Sequence, residues 1–129
     1  AQQSADFDRN KAMEVMESVL QAHPEIDGVF CGNDAMAMGA YQALVSAGKA
    51  DKVMVFGFDG ADDVIDAIKN NKVYATGMQF PLVMAETAAI YADEYIKGKR
   101  DFPQKIPVAV EMVTQQNFND YIAYGKMLY

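Results

Sequence analysis

Apolar positions recur at helical spacing through residues 8–22, where Ala12, Val15, Met16, Val19 and Leu20 share one face. Asp8 supplies an N-cap, and His23-Pro24 stops the run. A short apolar stretch then predicts a strand over 28–32. A second helix follows over 34–47, capped by Asn33 or Asp34 and closed by Gly48. Residues 53–57 read as a second strand and 62–70 as a short helix with two acids in its first turn. Residues 73–78 read as a third strand. Pro81 opens a long helix through Ile96, with Gly98 as its closing residue. A fourth strand is expected over 106–113. Asn117 is expected to cap a helical tail whose apolar positions are Phe118, Tyr121, Ile122 and Met127.

Helices thus alternate with short, continuous apolar strands. That order predicts an α/β fold: an open, mostly parallel sheet with helices on both faces. The 129 residues suit one domain, 1–129, without internal repeats or low-complexity linkers. An open α/β domain normally begins with a buried strand, whereas this chain opens almost directly on a helix. It is therefore expected to be an incomplete lobe of a larger protein.

Composition narrows the function. The chain is 51% hydrophobic and 22% charged, which is a globular balance. No run of 18 apolar residues offers a membrane span. The net charge of −7 argues against nucleic acid, whose phosphates select clustered Lys and Arg. The basic run Lys97-Gly98-Lys99-Arg100 fits a helix end, where cations favour the dipole. Cys31 is the single cysteine and lies in an apolar run, so it is expected to pack as a small hydrophobe. Met36 and Met38 are likewise expected in the core. His23 is the single histidine and has no convergent partner. No dinucleotide fingerprint, P-loop, nucleophile elbow or paired-histidine motif is present. The expectation is a protein that is not an enzyme and uses no cofactor and no metal.

In open parallel sheets, ligands bind beyond the C-terminal ends of the strands. Asn33 and Asp34 follow the first strand; Phe58, Asp59 and Gly60 the second; Met78 and Gln79 the third. Phe7, just before the first helix, stands in an equivalent place. These positions are each about one α–β unit apart, so distant side chains meet at one edge. A carboxylate accepts from two hydroxyls, carboxamides donate and accept, and an aromatic ring offers a wall for C–H groups. Phe7, Asn33, Asp59 and Gln79 suit a neutral polyol better than a phosphate or a hydrophobe. Each residue also has a plainer reading: Asn33 or Asp34 as a helix cap, Asp59-Gly60 as a tight turn, Gln79 as a loop residue, Phe7 and Phe58 as core closure.

At these residues the chain resembles the ribose/galactose family of periplasmic sugar-binding proteins, most of all its ribose-binding branch. The resemblance rests on Ala5-Asp6-Phe7-Asp8-Arg9, Gly32-Asn33-Asp34 before Ala35–Ala40, Val55-Phe56-Gly57-Phe58-Asp59-Gly60, and Met78-Gln79-Phe80-Pro81, in that order and at matching intervals. It implies a two-lobed type I periplasmic-binding-protein fold that closes over one sugar. Phe7 would stack on the ring, Asn33, Asp59 and Gln79 would hydrogen-bond to hydroxyls, and Phe58 would wall the pocket. Asp6 and Asp8 would fix the loop and cap the helix. The implied function is monosaccharide or polyol binding in the periplasm for an ABC permease. An N-terminal lobe or companion chain would be the partner of helix 81–97. The effector domain of LacI-type transcriptional repressors shares the fold and pocket and is the alternative.

Overall fold

The computed structural model describes residues 1–121. Its elements are α1 (Arg9–Ala22), β1 (Gly28–Phe30), α2 (Asp34–Ser46), β2 (Met54–Asp59), α3 (Asp62–Lys69), β3 (Ala75–Met78), α4 (Pro81–Ile96) and β4 (Glu111–Thr114). The strands form one sheet in the order β1-β2-β3-β4. β1 pairs parallel with β2 and β2 with β3, while β4 runs antiparallel to β3. This is the expected α/β fold, with a mixed, mostly parallel sheet flanked by helices.

Local chemistry explains the helix starts. Asp8 caps α1, its carboxylate accepting from the Lys11 amide at 2.8 Å. Asn33 caps α2, accepting from the Met36 amide at 2.9 Å. Gly48, at φ 65°, closes α2 in the left-handed conformation. α1 buries Ala12, Met16 and Leu20, one residue every four. It lies against α2 at Gly39, where a Cβ would stand 2.0 Å from the Arg9 carbonyl oxygen. α3 buries Val64, Ile65, Ala67 and Ile68. These side chains join Val55, Val113, Leu44 and Cys31 in one core, with Met36 and Met38 packed against its edge.

The strands differ from expectation in their bounds. β1 ends at Phe30 rather than 32, and β3 begins at Ala75 rather than 73. The fourth strand spans Glu111–Thr114 rather than 106–113. Its register sets Met78 opposite Glu111 and Ala75 opposite Thr114, so residues before 111 would have to pair where β3 has already ended. Pro107, with no amide hydrogen, also suits that stretch poorly to a ladder. The second strand runs to Asp59 instead of stopping at Gly57, because its pairing with β3 continues through Asp59 opposite Met78. Residues 118–121 are helical after a turn at 115–117. Asn117 turns back to β4, accepting from the Thr114 amide at 2.8 Å and donating to the Met112 carbonyl at 3.0 Å. Ile122 and Met127 lie outside the described residues.

The two sheet faces are unequal. Gly57 and Thr76 face α2, as their contacts with Asp34 show. Phe56 and Phe58, one step along β2, therefore face the other way. Phe30 and Met112, register partners of Phe56 and Gly77, lie on that second face and are 72% and 64% exposed. α4 has no buried residue, and Leu82, Val83, Ile90 and Ile96 are exposed along it. Past its end, Lys97 pairs with Asp93, Lys99 with Glu94, and Arg100 donates to the Tyr95 carbonyl, so the basic run finishes a helix.

Candidate sugar-binding site

The C-terminal ends of β1, β2 and β3 carry the expected residues. Asp59 ends β2, and Gln79 follows β3 directly. The Gln79 amide nitrogen of the backbone donates to the Asp59 carbonyl at 3.0 Å. The Gln79 side-chain Nε2 donates to Asp59 Oδ1 at 2.7 Å. The two half-buried side chains thus present a paired carboxylate and carboxamide. Asn33, after β1, spends its oxygen on the cap of α2 and turns its Nδ2 toward the Phe7 carbonyl at 3.5 Å. Phe7 is 68% exposed, with its ring beside Gly32. Ser4 and Lys11 hold Asp6, and Asp8 caps α1, so this loop is fixed on both sides of Phe7.

The structure therefore brings the residues together in two pairs, Phe7 with Asn33 and Asp59 with Gln79. Phe58 is placed differently. It lies half-buried over Gly77, where a Cβ would come within 2.8 Å of its ring, on the sheet face away from α2. A hollow of about 440 Å³ between the N-terminal segment, α1 and β1 reaches Gly32 and Met36, but its lining does not include Asn33, Asp59 or Gln79. The candidate site is an open edge on this chain, not an enclosed pocket.

Backbone strain gathers at the same edge. Among the described residues, the non-glycine residues with positive φ are Asp6 (49°), Phe7 (57°), Asp59 (132°) and Asn71 (55°). Asp6 and Asn71 are of the types that tolerate the left-handed region, whereas Phe7 there and Asp59 at 132° are costly and persist where surrounding structure holds them.

The loop directly after Asp59 is held by Asp34, one of the two residues that the sequence offers as the cap of α2. Asp34 is 1% exposed. Its Oδ2 accepts from the Gly60 amide at 2.9 Å and the Ala61 amide at 2.7 Å, and its Oδ1 from the Thr76 hydroxyl at 2.7 Å. Burial pushes its carboxyl above the ordinary aspartate range, the Asp59 charge adds to this, and the hydrogen bonds from Thr76, Ala61 and Gly60 oppose it. Thr76 was missed altogether, because one Thr within a short strand carries no signal of its own. Among the described residues no cluster of three or more His, Cys, Asp or Glu is arranged to hold a metal.

Comparison with known proteins identifies the family. Residues 1–100 match the family described as periplasmic binding protein domain. The chain is similar to the ribose import binding protein of Salmonella typhimurium, 46% identical over 116 residues, covering 90% of this chain and 38% of the relative. It is similar to the D-apiose import binding protein of Paraburkholderia graminis, 45% identical over 117 residues, covering 89% of this chain and 37% of the relative. Among solved structures it resembles an ABC transporter solute binding protein from Bacillus halodurans with bound myo-inositol. That match has a TM-score of 0.83 and 36% identity, and covers 93% of this chain and 41% of the other. The chain spans about two fifths of the length of such relatives. With the family match over residues 1–100 and relatives at 45–46% identity, the chain belongs to the periplasmic binding protein family, in its type I ribose/galactose group.

Proposed function

We propose that this chain supplies the C-terminal half of a sugar site in a periplasmic solute-binding protein, which captures a monosaccharide or related polyol for an ABC permease. The observation that carries the reading is the Asp59–Gln79 pair at the C-terminal edge of parallel strands, bonded at 2.7 Å and half-buried. An ionised carboxylate has about four acceptor positions, and Gln79 takes one. The others suit the vicinal hydroxyls of a sugar. Phe7 offers its exposed ring to the C–H face, and Asn33 lies beside it. Phe58 would wall the pocket from the far sheet face. The relatives are named for ribose and apiose import, and a similar structure holds myo-inositol, all neutral and polyhydroxylated. Such proteins bind and release without chemical change.

In this reading the remaining contacts come from an N-terminal lobe or companion chain. α4 is the element offered to it, since its apolar residues Leu82, Val83 and Ile90 have no cover within the described residues. The test is calorimetry on the full-length protein with D-ribose, D-apiose, D-allose and myo-inositol. Asp59→Ala leaves hydroxyl donors unpaired, at about 1–3 kcal/mol each, so affinity for the best of these sugars should fall at least about 30-fold. Gln79→Ala should cost less, because its hydrogen bonds are neutral, and Phe7→Ala should weaken binding through lost apolar contact. Parental affinity in Asp59→Ala would make Asp59 a turn residue and overturn the site.

A further inference from the structure

We propose that Asp34 and Thr76 form a positioning clamp that sets Asp59 and Gln79 in their ligand-binding geometry. The inference rests on the reading of Asp59 and Gln79 as sugar contacts. Acids in the first turn of a helix ordinarily sit in water, where they favour the dipole. Asp34 instead turns inward and is almost fully enclosed. Both its oxygens are engaged by groups of this chain, so it is not itself a ligand contact.

The partners of Asp34 are informative. Gly60 follows Asp59 immediately, and Ala61 precedes α3, so Oδ2 holds the loop that leaves β2. Thr76 stands in β3, three residues before Gln79, so Oδ1 holds the strand that delivers Gln79. One carboxylate therefore joins the start of α2 to the two strand ends that carry the pair. Its neighbour Asn33 caps the same helix and approaches Phe7. Asp59 sits at φ 132°, a conformation that an aspartate adopts only where neighbouring groups impose it. Two backbone amides fixed to Asp34 directly after Asp59 supply that imposition. Gly57 completes the arrangement, because a Cβ there would stand 2.1 Å from Asp34 Oδ1 and displace the carboxylate.

A buried carboxylate with three donors also stabilises the fold, so loss of stability alone does not identify a positioning role. The discriminating measurement is a double-mutant cycle on the full-length protein, titrated with whichever of D-ribose, D-apiose, D-allose or myo-inositol binds the parent most tightly. Asp34→Asn keeps the shape and removes the charge that gathers the three donors. It should weaken binding about tenfold, a coupling typical of residues sharing one network. In an Asp59→Ala background the same change should cost less than about twofold, because the geometry that it protects is already lost. If Asp34→Asn does not fold, the cycle is run with Thr76→Val, which removes one donor, and Thr76→Ser should restore affinity. Losses that add fully to that of Asp59→Ala, or parental affinity in folded Asp34→Asn and Thr76→Val, would overturn the clamp while leaving the sugar site intact. Parental affinity in Asp59→Ala alone would overturn the site, and the clamp with it.

Discussion

Cys31 shows how far one residue's surroundings set its chemistry. It is buried between β1 and α2, and its thiol is pushed up to about 11, first by burial and then by the Asp34 charge. Compared with an ordinary thiol near 9, this leaves about 100-fold less thiolate at pH 8. Alkylation by iodoacetamide at that pH should therefore be slow in the folded protein and should accelerate sharply in guanidinium. A native rate equal to the unfolded one would show that the β1–α2 junction opens freely. The neighbouring Asn33 and Asp34 mark the limit of reading single residues. Sequence presents two equivalent caps in succession. The fold separates them, because Asn33 has the extended backbone of a cap while Asp34 is already helical and turned toward β3. Asp59 and Gln79 were legible because the strand-edge rule needs only the ends of strands. Asp34 and Thr76 were not, because their meeting requires knowing which strands are adjacent.

Between elements, the α1–α2 contact depends on a residue that a lone helix would disfavour. Gly39 costs α2 about 0.5–1 kcal/mol relative to Ala by propensity. An added Cβ, however, would stand 2.0 Å from the Arg9 carbonyl oxygen, and overpacking of that kind costs about 1–3 kcal/mol. Packing outweighs propensity, so Gly39→Ala should lower the thermal midpoint of the full-length protein by several degrees; an unchanged or higher midpoint would mean that the helices separate easily. The same balance explains which elements sequence foretold. α1 and α2 carry side-chain caps, α3 opens on Asp62 and Asp63 without one, and the bounds of all three agree with the pattern to within a residue or two. β4 was displaced because an edge strand takes its limits from its partner. Nothing within 106–113 says that β3 ends at Met78.

For the whole molecule, the exposed surfaces and the open site point the same way. Phe30 and Met112 on one sheet face, and Leu82, Val83 and Ile90 on α4, are apolar positions that a finished core would cover. Asn33, Asp59 and Gln79 stand at an edge with water on one side. Hydrogen bonds made there exchange with water and contribute only about 0.5–1.5 kcal/mol each, so one from each of three residues supplies about 1.5–4.5 kcal/mol in all. Micromolar binding requires about 8 kcal/mol, and association itself costs several more. The isolated 129-residue chain should therefore bind D-ribose, D-allose or myo-inositol no more tightly than the millimolar range, while circular dichroism shows its helices formed. A full-length protein that closes over the same sugar, as proposed above, would exclude water and strengthen each bond. Titrating both forms with one sugar measures what the proposed N-terminal lobe contributes. Sub-micromolar affinity in the isolated chain would mean that these 121 described residues and the short tail after them already enclose the ligand, and that the open edge at Asp59 is not where it binds.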